Sequence, residues 1–182
     1  MLGYTVGGGK RGTYTTFRQQ TRALAAVRMT LGLGSSTFNG GMIEQFDAWQ
    51  SEGKNLALWP GRLVLGENFY GSLIERAVPL NNQVLRALRG SSLALDIYAW
   101  LAQRLHRVHN SRGDEISWAR LKEQFGHEYA DDAQGRKNFR KEFESALNDV
   151  LRLYPKAKIE TSLRNGENVG KILRLSPPPV SK

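Results

Sequence analysis

Five side chains near the C-terminus have types and spacing suited to one kind of chemistry. Stepping about 100° per residue from Phe139 puts Phe139, Phe143, Ala146, Leu147 and Val150 on one apolar stripe. Lys137, Asn138, Lys141, Ser145 and Asn148 then fall on the opposite face. Ammonium, amide and hydroxyl groups are the donors that bond phosphate oxygens and base edges. Arg136 and Arg140 lie at the flanks, with long stems that can reach outward. Glu142, Glu144 and Asp149 are also on the flanks, so the outermost face is free of acid. An ordinary solvated face would mix both signs, as i,i+4 pairing favours. This pattern predicts contact with a nucleic-acid duplex.

Two further groups share this chemistry. Arg164 and Lys171 are expected to flank the tip of a hairpin, with Lys156 and Lys158 extending the positive surface. Near the N-terminus, Lys10 and Arg11 lead a helix whose outward face carries Thr15, Arg18, Gln19 and Arg22. Phe17-Arg18 followed by Leu24 parallels Phe139-Arg140 followed by Ala146-Leu147, as a second, partial copy would.

Enzymatic chemistry finds less support. His106 and His109 are three apart, but a zinc site needs three or four convergent ligands, and no further ligand stands at a recognised spacing. Gly7-Gly8-Gly9-Lys10 resembles a phosphate loop only in part: Arg11 stands where Ser or Thr is needed. No nucleophile–base–acid set stands out. The expectation is no catalytic residue, no metal and no cofactor.

Charge agrees with the duplex reading. Of 182 residues, Lys and Arg make up 26 and Asp and Glu 17, a net charge of +9. The isoelectric point is about 10.0, in the range typical of nucleic-acid binders. From Met1 to Ile43 there is no acid, against Lys10, Arg11, Arg18, Arg22 and Arg28. Hydrophobic content of 40% excludes wholesale disorder. No stretch approaches the roughly 20 apolar residues of a membrane span, and no signal-peptide pattern opens the chain. The absence of Cys excludes disulfides and fits a reducing cytoplasm.

The elements that must position these residues follow from periodicity. Thr13 to about Arg28 reads as a helix, Val27–Leu33 as a strand and Gly34–Gly41 as a loop or wide hairpin. Met42–Trp49 and Asn55–Trp59 are candidate returning strands, and Arg62–Leu65 is a short strand. Helices are expected over Glu67–Glu75, from Asn81 or Asn82 to Gly90, and from Ser91 or Ser92 to Val108. The last of these carries Leu93, Ala94, Ile97, Trp100, Leu101 and Leu105 as the central core stripe. Ile116 is extended, Ser117 caps a helix ending at Gly126, and Arg136–Leu153 is the long helix. Ala157–Leu163 and Lys171–Leu175 are strands around Asn165-Gly166, the strongest short hairpin signal.

From Asn81 onward the order is helix, helix, short strand, helix, helix, hairpin. It predicts an α+β, mainly helical fold: a helix-turn-helix followed by a β-hairpin wing, the winged-helix arrangement. Residues 1–58 read as the remnant of a first, incomplete module of the same kind, and 59–182 as a complete second one.

Several segments also resemble the C-terminal region of bacterial plasmid replication initiators of the RepA type. They are Ser92–Leu101, Ile116–Ala119, Leu121–Gly126, Phe139-Arg140-Lys141, Tyr154–Ala157 and Ser176–Pro179. The similarity runs along Leu56–Val180, with Gly8–Arg28 similar to the segment just upstream; Ser35–Lys54 matches poorly. The resemblance implies tandem winged-helix domains that bind repeated sites at a plasmid origin, open the duplex and help load the host helicase, without catalysis. It implies the host replicative helicase and host initiator as partners, and a homodimer formed through the first module. Family members carry more chain before the segment that opens here, which makes a shortened first module the expectation.

The leading expectation is therefore sequence-specific double-stranded DNA binding at origin repeats, in a bacterial cytoplasmic protein that starts plasmid replication. A transcriptional repressor of the same fold is the alternative. A non-catalytic protein-interaction module is the alternative of another class.

Overall fold

The computed structural model describes residues 13–33, 36–46 and 62–180. Their fold is α+β, with helices and small antiparallel sheets, and it divides into two compact units that part between Ala77 and Val78. The sequence places the division at residues 58 and 59. It falls later because Leu63–Leu65 pairs back onto Ile43–Phe46 and so stays with the first unit.

In the first unit, helix α1 (Thr13–Ala26) leads into strand β1 (Arg28–Leu33), paired antiparallel with β2 (Ser36–Gly41) from Arg28↔Gly41 to Leu33↔Ser36. Of the loop or wide hairpin expected at Gly34–Gly41, the hairpin forms, with Ser36–Gly41 as its second strand, since ladder hydrogen bonds use only backbone and tolerate a Gly/Ser/Asn-rich composition. Strand β3 (Ile43–Phe46) pairs with β4 (Leu63–Leu65), and α2 (Glu67–Arg76) follows. The expected strand at Asn55–Trp59 lies outside the described residues. Ile43 is the buried hydrophobic among this unit's described residues.

The second unit has the larger core. Asn81 caps α3 (Asn82–Leu88), its side chain accepting from the Gln83 amide at 2.8 Å. Ser91 caps α4 (Ser92–Arg104), accepting from the Ala94 amide at 3.2 Å. A 3₁₀ turn, Leu105–Arg107, ends this helix. Strand β5 (Asp114–Ser117), helices α5 (Trp118–Phe125) and α6 (Ala133–Leu153), and strands β6 (Ile159–Arg164) and β7 (Glu167–Leu173) complete the order. The sheet runs β5-β7-β6, antiparallel throughout. Ile97, Leu101, Leu105, Leu121, Phe139, Phe143, Val150 and Leu173 form its dry interior.

Two tyrosine tips that reach this core find partners. The Asn81 amide donates to the Tyr98 hydroxyl at 3.0 Å. Tyr154 stands edge-on to Tyr98 and donates its own hydroxyl to the Pro177 carbonyl at 2.5 Å. Burial, and then the neighbouring Tyr98, pushes the Tyr154 hydroxyl up to about 12. Ser176 pins the closing segment: its amide donates to the Leu105 carbonyl, and its hydroxyl accepts from the Lys158 amide at 3.0 Å.

Helix α6 begins one turn earlier than its sequence suggests. Asp132 caps it, accepting from the Gly135 amide at 2.6 Å. Gly135 stands in its first turn because the Ala130 carbonyl lies where a Cβ would be. Gly135→Ala is therefore expected to lower the unfolding free energy by about 1–3 kcal/mol, the usual cost of overpacking. Urea denaturation of the purified variant checks it.

Candidate nucleic-acid interface

The two faces of α6 separate cleanly. Phe139, Phe143, Ala146, Leu147 and Val150 are buried. Trp118 meets Phe139 and Phe143 edge-on, with centroids 6.4 and 5.8 Å apart, and Phe125 packs on Phe143. Four aromatic rings thereby fix the rotation of the helix about its axis. Lys137, Asn138, Lys141, Ser145 and Asn148 are all exposed, as are Arg136 and Arg140. Among the described residues, Lys137 and Lys141 pair with no carboxylate.

The flanking side chains are held. Arg136 donates to the Asp131 carbonyl, and the Arg140 guanidinium lies 5.2 Å from the centroid of the Trp118 ring. The turn before α6 is clamped by Lys122, whose ammonium bonds the Tyr129 carbonyl at 2.9 Å and the Asp131 carboxylate at 2.5 Å. That bond, then the ammonium charge, holds the Asp131 carboxyl below its ordinary range. The earlier start of α6 adds Gln134 to the exposed face, 2.8 Å from the Asn138 side-chain oxygen. The cap at Asp132 is the signal that could have found it.

The hairpin supplies the second surface. Asn165 and Gly166 both have positive φ, 51° and 81°, as a tight two-residue turn requires. Arg164 flanks this tip opposite Glu167, and its side chain is 73% exposed. A register shift between Ser162 and Leu163 precedes it. Lys156 and Lys158 are exposed beyond the end of α6.

Lys171 is not at the tip. It pairs with Thr161 in β6 and Ile116 in β5, in mid-strand, and its side chain is only 8% exposed. Its ammonium lies 2.7 and 2.8 Å from the two carboxylate oxygens of Glu144 on α6. The Thr161 hydroxyl lies at 3.4 Å and the Trp118 ring centroid at 5.6 Å. The expected placement of Lys171 beside the hairpin tip is therefore corrected. Pleat alternation turns this side chain under α6, where a carboxylate neutralises it.

On the first unit, Thr15, Arg18, Gln19 and Arg22 fall within α1. Gln19 and Arg22 are exposed, while the Thr15 and Arg18 side chains lie outside the described residues, as do Lys10 and Arg11. His106 Nδ1 sits 3.1 Å from the Ala102 carbonyl, and its Nε2 accepts from Arg107 at 3.3 Å. Among the described residues no helix is long and apolar enough to cross a membrane.

The family of plasmid-encoded RepA proteins matches residues 1–120. No curated protein and no solved structure matches the chain. The match runs from before α1 into the first turn of α5, so α6 and the hairpin are described by their own geometry. With 120 of its 182 residues matched, the chain belongs to the plasmid-encoded RepA protein family and is a RepA-type plasmid replication protein.

Proposed function

We propose that the second unit is a winged-helix domain that binds double-stranded DNA at the plasmid's origin with sequence preference, as the first step of replication. Helix α6 enters the major groove, and the β6–β7 hairpin rests on the adjoining backbone. The observation that carries this reading is the exposed, acid-free face of Lys137, Asn138, Lys141, Ser145 and Asn148 on a helix rotationally fixed by its aromatic side. The order α4, β5, α5, α6, β6, β7 and the sheet order β5-β7-β6 support the fold assignment.

The first unit supports a tandem arrangement, since α1 is followed by the β1–β2 hairpin as α6 is by β6–β7. Its contribution is Lys10, Arg11, Thr15, Arg18, Gln19 and Arg22. On this reading the protein works in the bacterial cytoplasm, without catalysis. Its partners are the origin duplex, the host initiator and the replicative helicase, and homodimers form through the first unit.

Two assays on the purified chain test it. Titration of a fluorescent duplex from its own plasmid's origin should give binding that weakens steeply with salt and exceeds that of a scrambled duplex. Permanganate probing of the supercoiled origin should show unpaired thymines once protein is added. Equal affinity for both duplexes would contradict the specific reading; tight binding that leaves the origin closed would leave a repressor in its place.

A further inference from the structure

Glu144 is the acid on α6 nearest the outward face, and the structure gives it a dedicated cation. Lys171 reaches up from the middle of β7 and places its ammonium against both carboxylate oxygens, 2.7 and 2.8 Å away. The two partners differ in exposure: the lysine side chain is 8% accessible, the glutamate 34%. A buried cation therefore meets a carboxylate that still borders solvent. Thr161 and the Trp118 ring occupy the remaining sides of the ammonium.

We infer that Lys171 promotes DNA binding without touching DNA, by neutralising Glu144 beneath the face that meets the phosphates. This rests on the duplex-binding reading of α6. An unpaired carboxylate on that helix would oppose phosphate approach, because like charges repel and the duplex carries one charge per roughly 1.7 Å of its axis. With Lys171 in place, Lys137 and Lys141 are the charges at the centre of the face, while the exposed Glu142 and the Arg152-paired Asp149 lie at its flank. Lys171 is thus a positioning and charge-masking residue, and its conservative partner change is Glu144→Gln, which keeps a hydrogen-bonding oxygen and removes the charge.

The test is a cycle of Lys171→Met, Glu144→Gln and the double variant. Methionine keeps the apolar stem over Trp118. Duplex affinity is measured by anisotropy across a salt series, and folding by thermal melting. Lys171→Met should weaken binding of the origin duplex about tenfold at low salt, with the loss shrinking as salt screens the exposed carboxylate. The double variant should recover binding to within about twofold of the parent protein, because no charge is left to mask. A folded double variant still as weak as Lys171→Met would overturn the inference, as would undiminished binding by Lys171→Met. Failure of the parent protein to bind duplex would instead remove the DNA reading itself. Should Lys171→Met melt below the assay temperature, Lys171→Arg and Glu144→Asp, which keep the pair, serve as controls and must bind like the parent.

Discussion

Phe143→Ala is expected to lower the unfolding free energy of the second unit by about 3–5 kcal/mol, as large-to-small changes at fully buried aromatics do. Phe143 is 1% exposed and lies at the junction of three rings, with centroids 5.8 Å from Trp118, 5.7 Å from Phe125 and 5.6 Å from Phe139. Truncation leaves a cavity bounded by rings that are themselves tied elsewhere, so collapse is limited. Trp118, for example, donates its indole N–H to the Asn168 side chain in β7 at 2.9 Å. Domains of this size carry about 5–15 kcal/mol in total, so the variant is near its unfolding threshold at ambient temperature. Urea titration followed by near-UV circular dichroism checks this. A midpoint shift at constant slope is the signature of lost stability rather than of an altered unfolded state. The functional consequence is specific: the same rings that supply stability fix which face of α6 points outward.

The second large effect concerns that outward face. Lys137→Ala combined with Lys141→Ala should reduce origin affinity by about 1–3 kcal/mol for each lysine that bonds a base edge. Where a lysine meets phosphate instead, its removal should lower the slope of log affinity against log salt by about one unit. Both side chains are exposed and pair with no carboxylate among the described residues, so their removal leaves no orphaned charge in the fold. Melting should be unchanged, which separates this effect from that of Phe143→Ala. Fluorescence anisotropy over a salt series gives affinity and slope together. An unaltered slope with unaltered affinity would remove α6 as the contacting element.

Much of the second unit is legible in its residues. The helical period of Phe139, Phe143, Ala146, Leu147 and Val150 gives the buried side of α6, because a helix must hide its apolar stripe. Asn165-Gly166 gives the turn, because few other dipeptides accept two positive φ values. Asn81, Ser91 and Ser117 give helix starts, each accepting from an amide two or three residues on. What stays hidden depends on neighbours that only the folded chain brings together. Gly135 argues against helix until the Ala130 carbonyl is seen in the space a side chain would fill. Lys171 reads as a solvated cation until its partner, 27 residues earlier, is found beside it. The core stripe read from the sequence omits Tyr98, whose buried hydroxyl is met by the Asn81 amide, as that of Tyr154 is by the Pro177 carbonyl. Ser36–Gly41 has only Thr37 and Phe38 as strand-favouring residues among Ser, Asn and Gly, and its ladder is completed by pairing with β1.

Contact between the polar ridge of α6 and duplex DNA can be read residue by residue, by amide chemical-shift mapping of the isotopically labelled chain titrated with the origin duplex of its own plasmid. The shifts should concentrate on Gln134, Lys137, Asn138, Lys141, Ser145 and Asn148, with a second cluster at Arg164–Gly166. Binding that moves other surfaces while these amides keep their free positions would place the duplex elsewhere and remove α6 as the contacting helix.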